Sequence, residues 1–292
     1  MILLPVGPGW REFLEASESR LWHVILAGQT ALWVAALVTS LGDFRKTSRY
    51  PLHPTFGTLA VMGVFVLVAL SPTLLGWATG EFSGGVFRGF SLATHLPYHT
   101  GKIRTLSICG GLIASLQLLG AFCVQARLGR LATAPSGNFE RDATEFLVLR
   151  DKLKRFVLFV SLGVGAATLS TGALRNLVNG YVALQAKPLP PNAPLPISIE
   201  VVLAYGLFWT LLLGLAFLPV HLTLASAAQR LVEGYMRTFQ ARPTNLEERL
   251  KQRRVAEEYL GVNEDAFQAI KTALVVLSPL LGSLSGLLLP SR

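Results

Sequence analysis

The sequence has few charged residues and few cysteines for its length. Asp, Glu, Lys and Arg together make up 15% of the 292 residues, whereas soluble globular domains have about a quarter. Its two cysteines, Cys109 and Cys123, lie in one apolar run, where a straight helix would separate them by about 21 Å. That distance excludes a disulfide bond between them, and we interpret both as small packing residues.

Motifs of the common enzyme classes are also absent. The sequence contains no G-x-S-x-G, no H-E-x-x-H and no phosphate-binding loop. Asp and Glu are missing from the middle of every long apolar run, which argues against a transporter driven by protons or sodium ions. His95 and His99 have the spacing of a helical metal site, but Pro97 between them argues against a regular helix. We therefore predict no catalytic residue, no metal site and no cofactor.

Long apolar runs are what the sequence has in abundance. Hydrophobic residues make up 51% of the chain, and five runs reach the roughly 20 residues needed to cross a bilayer core. A sixth run, Ala273–Leu289, is shorter and is interrupted by Ser278–Pro279. The predicted fold is an all-α, polytopic integral membrane bundle with five transmembrane helices, or six if this last run crosses. The five runs are 21–41, 57–78, 105–126, 156–184 and 199–225.

The chain divides into three parts on this basis. Residues 1–20 form an N-terminal segment whose apolar side chains fit the membrane interface. Residues 21–225 form the transmembrane domain. Residues 226–292 form a cytoplasmic helical tail with an apolar C-terminal helix, in which Thr244 and Glu247 fit a capping box and Gly261 fits a helix C′ position.

The distribution of basic residues predicts the orientation. The formal net charge is +9, and Lys and Arg accumulate on the cytoplasmic side of membrane proteins. With the N-terminus outside, inner segments hold 18 Lys and Arg and outer segments hold 6. We therefore expect a bacterial inner (plasma) membrane protein with a cytoplasmic basic tail. Anionic lipid head groups are the expected partner, and a nucleic acid or nucleotide is the weakest alternative because few aromatic residues accompany the basic ones.

Small and polar residues line one face of the fourth run, and the fifth run has a shorter match. Bulky side chains occupy the opposite face. Because helices in lipid associate by close backbone approach and hydrogen bonds, such a face points to helix–helix contact. Two interpretations remain: packing inside one protomer, or a polar path or subunit interface. The stripe comprises Ser161, Gly165, Thr168, Gly172, Asn176 and Asn179 on the fourth run, and Gly206, Thr210 and Gly214 on the fifth.

Two further features lie beside the stripe. Arg175 is a charged residue inside an apolar run, and Glu200, at the outer start of the fifth run, is its expected partner. Pro219 frees a backbone carbonyl near the cytoplasmic end of the fifth run, which makes it a candidate hinge.

The functional expectation is a non-enzymatic pore or channel. Protomers would form a homo-oligomer through the stripe, and the basic cytoplasmic helices would gate it. One alternative is a scaffold or accessory subunit of a larger membrane complex, with other membrane subunits as partners. A further alternative is a transporter or a lipid-modifying enzyme, with Arg175, His95 and His99 as candidate residues of the enzyme.

Overall fold

The computed structural model describes residues 17–45, 48, 50–78, 100–184, 197–240, 246–261 and 277–288. These residues form seven helices and no strand, which confirms the predicted all-α class. The predicted interfacial segment before residue 17 and the two histidines of the metal motif lie outside the described residues. The helices are α1 (Ser17–Phe44), α2 (Phe56–Ala78), α3 (Thr100–Thr133), α4 (Phe139–Leu184), α5 (Ile199–Gln240), α6 (Leu246–Leu260) and α7 (Ser278–Leu288).

Among the described residues, four helices are long and apolar enough to cross a membrane, which suggests an integral membrane protein. They correspond to the first, third, fourth and fifth predicted runs. The second predicted run, 57–78, lies in α2. The count of five or six crossings remains a prediction. The four segments are Ser19–Phe44, Ile108–Thr133, Phe139–Gly180 and Ile199–Arg237.

Three of these helices extend well beyond their apolar runs at the same end of the bundle. On α4, the residues that precede Phe156 form about 26 Å of additional helix, and α5 runs without a break through the predicted domain boundary at residue 225. We call the end of α3, the start of α4, the end of α5 and α6 the stalk. One apolar core holds it together, because Phe146 and Leu149 of α4 are buried in the same cluster as Leu231 and Leu260.

Exposed apolar side chains mark the remaining part of the bundle. Val38 of α1 is 67% exposed and Leu215 of α5 is 71% exposed. Exposing apolar surface to water costs about 25 cal/mol of free energy per Å², whereas exposing it to lipid has no such cost. Contiguous patches of exposed apolar surface identify membrane-facing or partner-facing surfaces. The apolar surface of α4 ends at Leu158, and charged residues begin at Arg155. The bundle therefore has an apolar band next to a charged stalk.

A buried ion cluster lies at this junction. The Lys152 ammonium is 3.2 Å from the Asp43 carboxylate and donates hydrogen bonds to Ser48 Oγ at 2.9 Å and to the Tyr50 carbonyl at 2.7 Å. Arg155 pairs with the same carboxylate at 3.1 Å. These contacts attach the segment that connects α1 and α2 to the start of the α4 apolar segment.

Two arginines complete the stalk. Arg127 forms a 2.6 Å ion pair with Glu145 and donates to the Pro51 carbonyl at 2.8 Å. Arg150 donates to the Leu260 carbonyl at 2.9 Å, and Gly261 follows with φ of 67°, a left-handed conformation that favours glycine. The end of α6 is therefore capped both by a side chain of α4 and by its own backbone.

Candidate functional site

The small-residue face of α4 points into the protein. Ser161 and Thr168 are fully buried, whereas Leu162 is 39% exposed. Gly165 and Gly172 are buried as well. The slim side of the helix therefore contacts protein and part of the bulky side faces outward, as expected if packing in lipid requires close backbone approach.

Helix α7 covers this face. Ser278 Oγ donates to the Ser161 carbonyl at 2.6 Å, and Thr168 Oγ1 donates to the Pro279 carbonyl at 2.9 Å. On the other side of α7, the Leu280 N–H donates to Thr210 Oγ1 at 3.1 Å. The surface formed by Ser161, Gly165 and Thr168 of α4 with Gly206 and Thr210 of α5 is hereafter the groove, and α7 is its occupant.

Glycines lie at the points where the three helices meet. A Cβ atom at Gly165 would lie 3.1 Å from the carbonyl oxygen of Ser278. One at Gly206 would clash with the Ser283 side chain, and one at Gly282 would clash with the Gly165 carbonyl. The fit is steric as well as polar, since each of the three helices supplies a glycine at the contact.

The contacts fix the direction of α7. Ser278 lies beside Ser161 while Gly282 contacts Thr168, so α7 runs parallel to α4. Along α5 the order is reversed, because the contact at Thr210 precedes the contact at Gly206. Helix α7 therefore begins at the stalk side of the groove and points away from the stalk.

The Ser278–Pro279 pair is the start of α7. Our sequence analysis treated it as an interruption of an apolar run. The Leu277 carbonyl accepts the first intrahelical bond, from the Leu281 N–H at 3.0 Å, so Leu277 is the N-cap and Ser278 is free to bond α4. Pro279 lies in the first turn, where its missing N–H would have no intrahelical partner. The same two residues therefore start a helix inside the bundle.

The outer part of the stripe holds the entry into α5. Asn179 bonds both backbone groups of Ile197: its Nδ2 donates to the carbonyl at 3.1 Å, and its Oδ1 accepts from the N–H at 2.7 Å. Arg175 Nε donates to the same carbonyl at 3.0 Å, and one terminal nitrogen donates to Asn176 Oδ1 at 3.0 Å. These residues form a bracket for the connection between α4 and α5, separate from the groove.

The other predicted features take different positions. Glu200 is exposed on the first turn of α5. The described residues show no direct ion pair between Glu200 and Arg175, but the Arg175 charge acts on Glu200 through space. The guanidinium donates its hydrogen bond to the Ile197 carbonyl. Gly214 does not belong to the groove, because a Cβ there would meet nothing within 4 Å. Pro219 lies inside a continuous α5, with its carbonyl accepting a hydrogen bond from Thr223 Oγ1 at 2.8 Å.

Some buried polar atoms of the bundle have no hydrogen-bond partner among the described residues. They include Ser161 Oγ, in the groove, and the side-chain carbonyl oxygens of Gln29 and Gln117. Gln117 uses only its amide nitrogen, which donates to Ser40 Oγ at 2.6 Å. A buried unpaired group costs about 1–3 kcal/mol, and such groups usually identify a hydration site or a functional strain.

Sequence reasoning missed α7 as the groove's occupant. The signal is present, because Ser278, Gly282 and Gly286 repeat every four residues and give α7 a small face of its own. The sequence analysis considers only the Ser278–Pro279 interruption of this run. Two matching small-residue stripes in one chain indicate a pair that packs together.

No cluster of three or more His, Cys, Asp or Glu that could hold a metal occurs within the described ranges. Comparison with known proteins found no matching family model, no matching curated protein and no matching solved structure. The geometry of the groove and the stalk is therefore the basis for any functional assignment.

Proposed function

We propose that the protein is a non-enzymatic integral membrane protein that forms a pore or channel. The groove between α4 and α5 is its polar path, and the helices around it are in the closed state. The observation that carries this proposal is the Ser161 hydroxyl, which is fully buried in the apolar part of α4 and has no hydrogen-bond partner among the described residues. A hydrated groove would satisfy this hydroxyl, together with those of Thr168 and Thr210.

Hydration of the groove would break the hydrogen bonds to α7 and would satisfy the Ser161 hydroxyl, and the two changes in free energy are of similar size. Three hydrogen bonds join α7 to the groove, and interhelical hydrogen bonds in membranes average about 0.6 kcal/mol each. Their total of about 2 kcal/mol resembles the cost of about 1–3 kcal/mol for one buried unpaired hydroxyl. Polar contacts alone therefore do not hold the groove closed strongly.

The setting of this pore follows from the charges. We place the stalk in the cytoplasm and the N-terminus outside, in a bacterial plasma membrane, with five crossings in addition to α7. The Arg155 side chain, at the junction of apolar band and stalk, is 48% exposed and lies where anionic head groups are expected. A homo-oligomer completes the path, since one groove of this size is lined by only two helices.

Ion flux from liposomes tests the proposal. The purified protein should conduct after reconstitution, and Thr210→Val, which removes a hydroxyl from the groove, should change the conductance several-fold. Thr30→Val is the matched control, because Thr30 is exposed and its hydroxyl bonds only the Leu26 carbonyl of its own helix. Absence of conductance at every protein density, with a monomer in mild detergent, would rule out the pore.

A second candidate is a scaffold or accessory subunit, which the stalk favours. Helix α6 buries only Ala256 and Leu260, while Leu246 is 69% exposed and Leu250 is 53% exposed. Large apolar side chains on the aqueous part of a protein fit a partner surface. A partner that co-purifies in stable stoichiometry with the wild type and is lost with Leu250→Glu, but retained with Lys251→Glu, would support this candidate.

A further inference from the structure

We infer that α7 is a plug: it is inserted into the bundle from the stalk side and holds the groove closed. The inference rests on the proposed function, in which the groove is the polar path, and it assigns the element that regulates this path. It also makes the C-terminal helix a membrane-embedded segment whose far end points away from the cytoplasmic stalk.

The position of α7 places it at membrane depth. It begins beside Ser161, which lies about 8 Å along α4 from Phe156, where the stalk ends. From there α7 runs away from the stalk between α4 and α5. Leu281 and Leu284 are 45% and 44% exposed, so α7 presents leucines outward and its small residues to the groove.

The way in which α7 is held makes it suited to release. No leucine of α7 whose side chain the structure describes is buried. Its buried residues are Pro279 and Ser283. The contacts consist of hydrogen bonds and close backbone approach, without the large interlocked side chains that hold the stalk core. A single bulky side chain on the small face is therefore enough to separate α7 from the groove.

A disulfide tests the closed position. In a background with Cys109→Ala and Cys123→Ala, the pair Gly165→Cys with Ser278→Cys places a Cβ atom of α4 3.2 Å from the Ser278 Cβ, a few tenths of an ångström short of the separation in a disulfide. Oxidation should cross-link them within one chain and lower ion flux from liposomes at least tenfold, and reduction should restore it. Gly180→Cys with Ser278→Cys is the matched control, because about 22 Å of α4 separates Gly180 from Gly165 and no cross-link should form.

A substitution tests the release. Gly282→Leu places a side chain against the Gly165 carbonyl and Thr168, so it should raise ion flux at least tenfold over the wild type. Ser285→Leu on the same helix is the control, because Ser285 is exposed, and it should leave the flux unchanged. If Gly282→Leu alters the helix content by circular dichroism, a chain that ends at residue 276 replaces it.

The outcomes separate the plug from the pore. Equal conductance of the wild type, the oxidised cysteine pair and Gly282→Leu would leave the pore intact and overturn the plug. Failure of the cysteine pair to cross-link would also overturn the plug. If the cross-link forms but no variant conducts, including the chain that ends at residue 276, the pore itself is refuted and α7 is a permanent part of the bundle.

Discussion

The ion cluster at the junction of bundle and stalk gives a prediction with a defined magnitude. The Lys152 side chain is only 4% exposed, and its ammonium is 3.2 Å from the Asp43 carboxylate. At an effective dielectric constant near 20, that separation corresponds to about 5 kcal/mol of attraction. Most of this attraction is offset by desolvation of the two ions. The consequence appears when one ion is removed, because the other is then left buried.

Asp43→Asn should therefore lower the free energy of unfolding by about 3 kcal/mol, since it leaves a buried cation with only neutral partners. Lys152→Met should lower the free energy of unfolding by only about 1 kcal/mol, because the Asp43 carboxylate keeps Arg155 as a partner. That remaining pair is weak, since the Arg155 side chain is exposed. In the Lys152→Met background, Asp43→Asn should again cost about 1 kcal/mol. The double-mutant cycle should then show a coupling of about 2 kcal/mol.

The measurement is titration of mixed micelles with a denaturing detergent, followed by far-ultraviolet circular dichroism. Salt up to 0.5 M should leave the coupling unchanged, because a buried pair is screened little. A coupling below about 0.5 kcal/mol, the usual limit of additivity for independent sites, would refute the assignment of a buried ion pair. Destabilisation by Lys152→Met as large as that by Asp43→Asn would refute the claim that the unpaired cation is the cause.

Two further predictions use the same titration. Gly110→Leu should lower the free energy of unfolding by at least about 2 kcal/mol, because a Cβ there would lie 2.5 Å from the Trp33 ring. Gly111→Leu is the control and should be nearly neutral, because its Cβ meets nothing within 4 Å. Equal effects of the two variants would contradict the α1–α3 contact. Asn179→Leu should lower the free energy of unfolding by about 2 kcal/mol, because the Ile197 N–H loses its acceptor while the Ile197 carbonyl keeps Arg175, and it should speed proteolysis between α4 and α5. An unchanged cleavage rate would contradict the bracket.

The helices and their continuations follow from local sequence patterns. Apolar residues at helical spacing from Phe146 to Phe156 predict a helix that leads directly into the fourth apolar run, and α4 is that single helix. Gly261 ends the separate helix α6 with a positive φ, as its predicted C′ position requires, whereas Thr244 of the predicted capping box lies outside the described residues. Such signals act over one or two helical turns, so one sequence is sufficient to find them.

Contacts between distant segments are not encoded in this local way. Asp43 and Lys152 are unremarkable as isolated charges, and their pairing depends on the register between α1 and α4. The predicted partner of Arg175 illustrates the same point. Charge and approximate depth favour Glu200, which interacts with Arg175 only through space. The guanidinium donates its hydrogen bond to the Ile197 carbonyl, in a backbone segment that Asn179 holds in place.

The stripe on α4 shows why its partner was the hardest feature to predict. A glycine such as Gly165 indicates that another backbone comes close, and the Thr168 hydroxyl indicates that a carbonyl acceptor lies nearby. Neither residue specifies which segment supplies that backbone. A second copy of the chain and the chain's own α7 satisfy the same face equally. The covalent connection resolves this tie, because α7 belongs to the same chain as the groove and its binding is intramolecular, whereas a second copy of the chain has to associate first. Helix α7 therefore occupies the groove until it is released. Any assembly of protomers through the groove has to follow that release.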